Sequence, residues 1–389
     1  MSAGLLALYS FGGEVNLYPL LFYGLKAMSN RGDRAVAYVY SKGSLRRLEL
    51  DLSREDGRAV EGSAAIGCVY AEDCCEEVPE GAICAFGGRA SIGGLGDAVY
   101  VALTRSGEVY AYRPPRLWHL AVGAHGFDFA IIATESAAVE VLGGEVRRSL
   151  KGGELLRVHR YGVEARGGGE PGEICAMELI YAARLDSEID GVEVAEVRAE
   201  LARRLAKKIG GAPDVVIGVP ETGLYYASWT AKELGAWHVP AFVATARARS
   251  ALMDELKDRI SAIQLKANVV EHDVRGKRVL VVDDSIISGL TLRQIALLLR
   301  LKAGAKEVKA AVASPPLRRA CPYGVKTPPE DHMIFNYLND GDVAKVLELD
   351  GLAYLSPDEV EEAAGRPICK LCFLSKKLNY KANLPDAQR

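Results

Sequence analysis

A chain of 389 residues, 49% of them hydrophobic, can bury more than one core and exceeds one typical domain, so two domains are expected and a disordered chain is excluded. The formal net charge is −3, with Lys and Arg spread along the chain rather than gathered, which argues against nucleic acid or another polyanion as a partner. No apolar run approaches the roughly 18 residues that cross a bilayer, and Met1-Ser2-Ala3-Gly4 has no basic n-region. No membrane partner and a cytoplasmic location are therefore expected, and there the eight cysteines should be reduced, serving as metal ligands or as packing.

Up to about Leu156, short β-like runs such as Ala35 to Tyr40, Val99 to Leu103 and Phe129 to Thr134 alternate with glycine-rich turns. One helical period, Tyr18 to Met28, stops before Ser29-Asn30-Arg31-Gly32. This half predicts an α+β fold with much antiparallel sheet. Tyr161 to Gly172 is rich in glycine, holds a proline and has few large apolar residues, so it predicts a linker. Beyond it, helical patterns over Val194 to Ile209, Leu224 to Leu234 and Leu292 to Ala303 alternate with apolar strands Val215 to Val219, Val279 to Val282 and Val308 to Val312. That alternation predicts an α/β unit, a doubly wound parallel sheet. The expected organisation is a domain over 1–160, a linker over 161–172, a second domain over 173–328 and a helical extension over 329–389.

The run Arg278-Val279-Leu280-Val281-Val282-Asp283-Asp284-Ser285-Ile286-Ile287-Ser288-Gly289-Leu290-Thr291 is a buried strand, two acids, a small-residue loop and a helix start. At the carboxyl end of a parallel strand, backbone N–H groups entering the next helix face the crevice and favour a phosphate. Gly289 permits close backbone approach, Ser285 and Thr291 add hydroxyls, and Asp283 and Asp284 can accept from two ribose hydroxyls. The other reading of Asp-Asp-Ser by itself is an ordinary strand-to-helix turn with aspartate caps. The longer pattern favours the ligand site. It resembles the signature of type I phosphoribosyltransferases, and Val219-Pro220-Glu221-Thr222-Gly223 resembles the pyrophosphate loop of the same fold.

Cys175 to Ser187, the two loops, Ser314-Pro315-Pro316, Cys321-Pro322-Tyr323-Gly324 and Cys369-Lys370-Leu371-Cys372-Phe373 fall in an order that resembles the amidophosphoribosyltransferase family, its iron-sulfur branch in particular. The resemblance implies an N-terminal-nucleophile-like glutaminase fold, here shortened and degenerate, followed by a type I phosphoribosyltransferase unit. It implies phosphoribosyl pyrophosphate as ligand at Asp283, Asp284, Ser285, Ser288, Gly289, Thr291, Glu221, Thr222 and Gly223, with Mg²⁺ held at Asp283 and Asp284 together with the substrate. Purine nucleotides are further implied ligands. A homo-oligomer, or assembly with a complete paralogue, is the implied partnership. A bare Cys-x-x-Cys is zinc, redox or nothing. With Cys175 and Cys321 added, the resemblance implies Cys175, Cys321, Cys369 and Cys372 as ligands of a [4Fe-4S] cluster, with zinc as the alternative. Cys68, Cys74, Cys75 and Cys84 match no motif and are expected to be packing or surface thiols.

Four departures bear on activity. The family's glutamine-hydrolysing half uses an N-terminal cysteine whose α-amino group acts as base; alignment on Gly4 puts Ala3 at that position, with Ser2 one residue away. Asn30-Arg31-Gly32-Asp33 resembles the family's His-Arg-Gly-Gln, yet its glutamine-binding segments have no counterpart. The lid after the pyrophosphate loop is replaced by 241–250, where Arg247 and Arg249 are either pyrophosphate contacts or a solvated basic helix start. Ser288 and Leu290 stand where an Arg and a Thr are usual. The expected function is formation of phosphoribosylamine in purine synthesis, using ammonia rather than glutamine; the alternatives are a non-catalytic nucleotide-binding regulator and an inactive partner subunit.

Overall fold

The computed structural model describes residues 3–70, 74–170, 172–243, 268–323, 325 and 327–375. Ser2, Arg247 and Arg249 lie outside the described residues. The chain forms two compact units, one of Met1–Val197 with Pro322–Thr327 and Ala364–Cys369, the other of Arg198–Cys321 with Pro328–Ala363 and Lys370–Arg389. No helix among the described residues is long and apolar enough to cross a membrane.

The first unit is built on two antiparallel sheets. One has seven strands in the order Glu145–Ser149, Ala121–His125, Phe129–Ala133, Gly4–Ser10, Ala64–Tyr70, Arg34–Ser41 and Ser44–Asp51. The other has six, in the order Gly162–Gly169, Gly152–His159, Val109–Arg113, Val99–Thr104, Gly81–Phe86 and Cys75–Val78. Strand Gly4–Ser10 shows how the layers are made, because successive side chains leave a strand on opposite faces. Leu5, Ala7 and Tyr9 enter the core that also takes Val101, Leu103 and Leu156 of the six-stranded sheet. Leu6 and Leu8 enter a second core with Leu21, Phe22 and Leu25 of helix Tyr18–Ala27 and Val139 of helix Ser136–Val141. A strand buried on both faces reads as a continuous apolar run, which is what Gly4-Leu5-Leu6-Ala7-Leu8-Tyr9-Ser10 is.

The second unit holds a five-stranded parallel sheet in the order Trp237–His238, Val215–Gly218, Arg278–Asp283, Glu307–Val312 and Gly351–Tyr354. Val215, Ile217, Val279, Val281, Val308 and Ala310 meet Leu292 and Ile295 of helix Leu290–Leu297 and Val343 of helix Asp340–Val346 on one face. Helix Thr222–Leu234 packs against strands Val215–Gly218 and Arg278–Asp283. This is the α/β unit that the alternation of helical and apolar runs predicts.

Three expectations are corrected. The segment expected as a linker over 161–172 contains strand Gly162–Gly169, paired along its length with Gly152–His159 at the edge of the six-stranded sheet; glycine-rich composition here marks an exposed edge, and the units divide later, between Val197 and Arg198. The expected extension over 329–389 is not a separate appendage, since Gly351–Tyr354 completes the parallel sheet and Ala364–Cys369 belongs to the first unit. Finally, Cys68, Cys74, Cys75 and Cys84 are not separate reduced thiols, because Cys68 is paired with Cys74 and Cys75 with Cys84 as disulfides.

A buried carboxylate closes the chain segment that follows the sheets. Ile189-Asp190-Gly191-Val192 is a two-residue hairpin turn with Asp190 at φ 52° and Gly191 at φ 81°, the conformation that favours Asp-Gly. Arg113 donates to both Asp190 carboxylate oxygens at 2.6 Å and to the Leu150 carbonyl at 2.6 Å. His119 Nδ1 lies 3.3 Å from Asp190 Oδ1, and Arg366 donates to the Asp190 carbonyl at 2.8 Å. Burial opposes ionisation of Asp190, but the bonds from His119 and Arg113 outweigh it and hold its pKa below the ordinary carboxylate range. Asp190 therefore stabilises the fold above the unfolded carboxylate pKa of about 3.9, and this contribution is lost as the pH falls below that value. Asp190→Ala leaves Arg113 buried without its bidentate partner and should cost about 3 to 5 kcal/mol. Denaturant unfolding at neutral pH measures that loss, and the gap between variant and parent should narrow in acid.

Candidate functional site

Strand Arg278–Asp283 is the middle strand of the parallel sheet, and both of its carboxyl-terminal acids are buried, Asp283 7% and Asp284 8% exposed. They are fixed by the backbone around them. The Ala313 N–H donates to the Asp283 carbonyl at 3.1 Å and the Ser314 N–H to the Asp284 carbonyl at 2.7 Å. The Asp284 N–H donates to Asp283 Oδ1 at 2.9 Å, and Ser285 Oγ donates to Asp284 Oδ1 at 2.5 Å. After the loop, Gly289 at φ 74° begins helix Leu290–Leu297, and the Ser288 hydroxyl accepts from the Leu290 N–H at 3.4 Å. A side chain at Gly289 would be strained by its φ and would meet Leu347 Cδ2 at 2.4 Å, so glycine is required twice over.

The second expected loop lies beside the first. The Val219 N–H donates to the Val282 carbonyl at 2.9 Å, and helix Thr222–Leu234 starts where a Cβ on Gly223 would stand 2.6 Å from the Val282 oxygen and 3.4 Å from Asp283 Cα. Gly218 is equally confined, a Cβ there meeting the Gly223 oxygen at 2.6 Å. Two helix N-termini thus open onto the carboxyl ends of adjacent parallel strands, with Glu221, Thr222 and Gly223 on one and Ser288, Gly289 and Thr291 on the other. Backbone N–H groups and helix dipoles favour anions there, while the two carboxylates favour hydroxyl donors or a cation.

The electrostatics support that division. Burial, and then the neighbouring Asp284 charge, push Asp283 well above the ordinary carboxylate range. Burial raises Asp284 to about 6, against the lowering pull of Ser285, Arg198 and Thr222. Neither Arg198 nor Tyr226 stands out in a reading of the sequence alone. Both are buried, Arg198 at 4% and Tyr226 at 0% exposure, and both act on Asp284 or are acted on by it. The available signal was Arg198 on the apolar stripe of helix Val194–Lys208, between Val194, Val197 and Leu201, all buried.

In the first unit Ala3 and Arg31 are both enclosed by their neighbours. Ala3 is buried at 8% exposure, and Gly4 packs so closely that a Cβ would meet Met28 Cβ at 2.9 Å. Arg31 is clamped by two acids, with Nε 2.9 Å from Glu135 Oε1, Nη1 3.1 Å from Glu178 Oε1 and Nη2 2.7 Å from Glu178 Oε2. Burial disfavours its charge, but Glu135 and Glu178 more than offset this and keep Arg31 protonated. Asn30 and Ser187 complete the coordination of Glu135 at 2.9 and 2.6 Å. Beside Arg31, Thr134 and His119 a cavity of about 10 Å³ remains, room for about one water molecule.

Of the four expected cluster ligands, Cys175 and Cys369 stand directly opposite each other in the parallel pair Ile174–Cys175 and Ile368–Cys369 of the first unit. In the second unit the Cys372 carbonyl accepts from the Arg318 and Arg319 N–H groups at 2.8 and 3.1 Å, just before Cys321.

The phosphoribosyl transferase domain family matches residues 190–330. The amidophosphoribosyltransferase of Mycobacterium bovis is 34% identical over 285 residues, 72% of this chain and 53% of that protein. That of Bacillus subtilis is 30% identical over 291 residues, 72% of this chain and 61% of that protein. A solved structure described as glutamine phosphoribosylpyrophosphate amidotransferase from B. subtilis complexed with ADP and GMP superimposes with a TM-score of 0.80 at 25% identity, covering 95% of this chain and 96% of that one. The chain belongs to the amidophosphoribosyltransferase family. The aligned stretch spans about half the length of the first curated amidophosphoribosyltransferases it matches, at 53%. The two confined turns described above both lie within the stretch that the phosphoribosyl transferase domain family matches.

Both acids have folded pKa values above their unfolded values, so the folded chain binds more protons. Their contribution to stability is therefore favourable below about pH 4 and is lost as the pH rises through the folded pKa, near 6 for Asp284. Replacing both by Asn removes that loss. Without Mg²⁺ or ligand, the Asp283→Asn/Asp284→Asn variant should melt higher than the parent at pH 7, by about 2 to 4 °C for each kcal/mol recovered, and no higher at about pH 3, below the unfolded carboxylate pKa. Scanning calorimetry at the two pH values reads the difference, and a lower melting temperature at pH 7 would contradict the electrostatic account.

Proposed function

We propose that the second unit binds phosphoribosyl pyrophosphate with Mg²⁺ and forms phosphoribosylamine from free ammonia, a reaction of purine biosynthesis. The observation that carries this reading is the buried acid pair Asp283 and Asp284 at the end of the middle strand, beside the starts of helices Thr222–Leu234 and Leu290–Leu297. Asp283 and Asp284 accept from the two ribose hydroxyls. The N–H groups from Ser288 to Thr291, with the Ser285 and Thr291 hydroxyls, hold the 5'-phosphate, while the N–H groups and hydroxyl of Glu221-Thr222-Gly223 hold the pyrophosphate. The raised pKa values of the acid pair fit a site that carries its full negative charge only with a cation present. Mg²⁺, when bound, would neutralise charge on the leaving pyrophosphate. Ser288 and Leu290 supply less to the phosphate than the Arg and Thr usual there, so the grip is weaker and rests on the backbone. That substitution also favours the second reading, binding without turnover by a regulator or partner subunit. Purine nucleotides are candidate ligands of the same kind, since the B. subtilis structure is described with ADP and GMP.

Glutamine is not the nitrogen source in this proposal. A glutaminase needs a cationic clamp for the substrate carboxylate and a pocket for the amide. Here Arg31 is taken by Glu135 and Glu178, and the space beside it fits about one water molecule. We further propose a [4Fe-4S] cluster on Cys175, Cys321, Cys369 and Cys372. The side-by-side placement of Cys175 and Cys369 suits two thiolates of such a set. Its role is structural, tying together chain segments that are distant in sequence.

The activity test is pyrophosphate release from phosphoribosyl pyrophosphate, measured with ammonia and then with glutamine. Release with ammonia only is expected. Glutamate production from glutamine that disappears in Ser2→Ala would overturn the assignment of the nitrogen source. Release with neither donor, alongside retained binding, would establish the non-catalytic reading. For the cluster, anaerobically purified protein should be brown and hold about four iron and four sulfide per chain; colourless protein with one zinc would contradict it.

A further inference from the structure

Four sulfurs that this chemistry does not use meet inside the first unit. Cys68 comes from strand Ala64–Tyr70 of the seven-stranded sheet. Cys75 and Cys84 come from the neighbouring strands Cys75–Val78 and Gly81–Phe86 of the six-stranded sheet, where they stand directly opposite each other with Cα atoms 4.0 Å apart. Cys74 precedes the edge strand, its carbonyl accepting from the Ala85 N–H at 2.8 Å, and its Cα lies 6.5 Å from that of Cys68. The sulfurs of Cys68, Cys74 and Cys75 all lie within 4.8 Å of one another, and Cys84 is paired with Cys75. All four contribute to the single core between the two sheets, with Cys68 and Cys84 fully buried and Cys74 and Cys75 half-buried.

A single buried cysteine needs no explanation beyond packing. Four converging from two sheets onto one point do, because an apolar side chain would fill the same space and each strand offers other inward positions. Zinc bound by four thiolates has Zn–S bonds of about 2.3 Å, which places neighbouring sulfurs about 3.8 Å apart. Three of the sulfurs, those of Cys68, Cys74 and Cys75, lie within 4.8 Å of one another and Cys84 adjoins them through its pairing with Cys75, so that once the pairs are reduced, side-chain rotation can bring the four to that spacing. Cys68 and Cys84 would form the floor of the site, and Cys74 and Cys75 its solvent-facing side, through which an ion could enter.

We propose that Cys68, Cys74, Cys75 and Cys84, when reduced, form a tetrathiolate site for a borderline-soft divalent cation of the zinc class, and that the two disulfides are the oxidised, metal-free form of the same site. Uptake of one divalent cation releases four protons and leaves the site with two negative charges. Oxidation of the four metal-free thiols removes four electrons and four protons; two equivalents of a small-molecule disulfide accept them, each being reduced to two thiols. Either form links the two sheets.

The test reads each cysteine separately in the full wild-type chain, so that the cysteines at 175, 321, 369 and 372 do not confuse it. The chain is reduced, freed of reductant under anaerobic conditions, and alkylated with iodoacetamide with and without equimolar Zn²⁺, followed by peptide mapping. Zn²⁺ should slow alkylation of Cys74 and Cys75 by about tenfold or more, and Co²⁺ in its place should give the intense visible absorption of tetrahedral sulfur coordination. The Cys369→Ser/Cys372→Ser variant should retain the effect, and prior oxidation with a small-molecule disulfide should abolish it. Alkylation of reduced Cys74 and Cys75 at the same rate with and without Zn²⁺ would overturn the proposal.

Discussion

The parallel pairing of Val215–Gly218 with Arg278–Asp283 is the constraint on which the second unit depends. It brings the Val219 N–H onto the Val282 carbonyl and stacks Gly218, Gly223 and the strand end so tightly that no Cβ fits. Two carboxylates are buried as a consequence, side by side and with raised pKa values. An isolated charge in such a place is costly, and the fold supplies only partial relief through Ser285, Thr222 and Arg198. The remaining imbalance is what a cation and two ribose hydroxyls would correct, so the electrostatic cost of burying the acid pair and its affinity for such a ligand would have one origin.

The first unit shows the opposite balance. Its buried charges are satisfied from within, Arg31 by Glu135 and Glu178 and Asp190 by Arg113, with His119 adjacent. A guanidinium already held by two carboxylates offers a substrate carboxylate no unsatisfied positive charge. Strand Gly4–Ser10, buried on both faces, joins the packing on either side of its sheet.

What was legible in the sequence follows from distance along the chain. Asp283, Asp284, Ser285 and Gly289 are contiguous, and a strand, two acids, small residues and a helix start specify their own geometry. Glu221 to Gly223 follow a strand in the same way. Arg198 reaches Asp284 across the fold, and Arg31 meets partners 104 and 147 residues away, so neither role could be read from neighbours. The pairing of Cys75 with Cys84 depends on a hairpin register that spacing alone does not fix. Gly162–Gly169 resembled a linker because an exposed edge strand and a linker share a composition, and only the hydrogen bonds to Gly152–His159 distinguish them.

The central claim is that Asp283 and Asp284 form the ribose end of a phosphoribosyl pyrophosphate site, and titration calorimetry with Mg²⁺ and phosphoribosyl pyrophosphate at pH 7 tests it most directly. One site per chain is expected. In the Asp283→Asn/Asp284→Asn variant, losing charge-assisted bonds worth about 1.5 to 3 kcal/mol each should weaken binding by about two orders of magnitude or more. Equal affinity in the parent and the variant would contradict the account and place the ligand elsewhere.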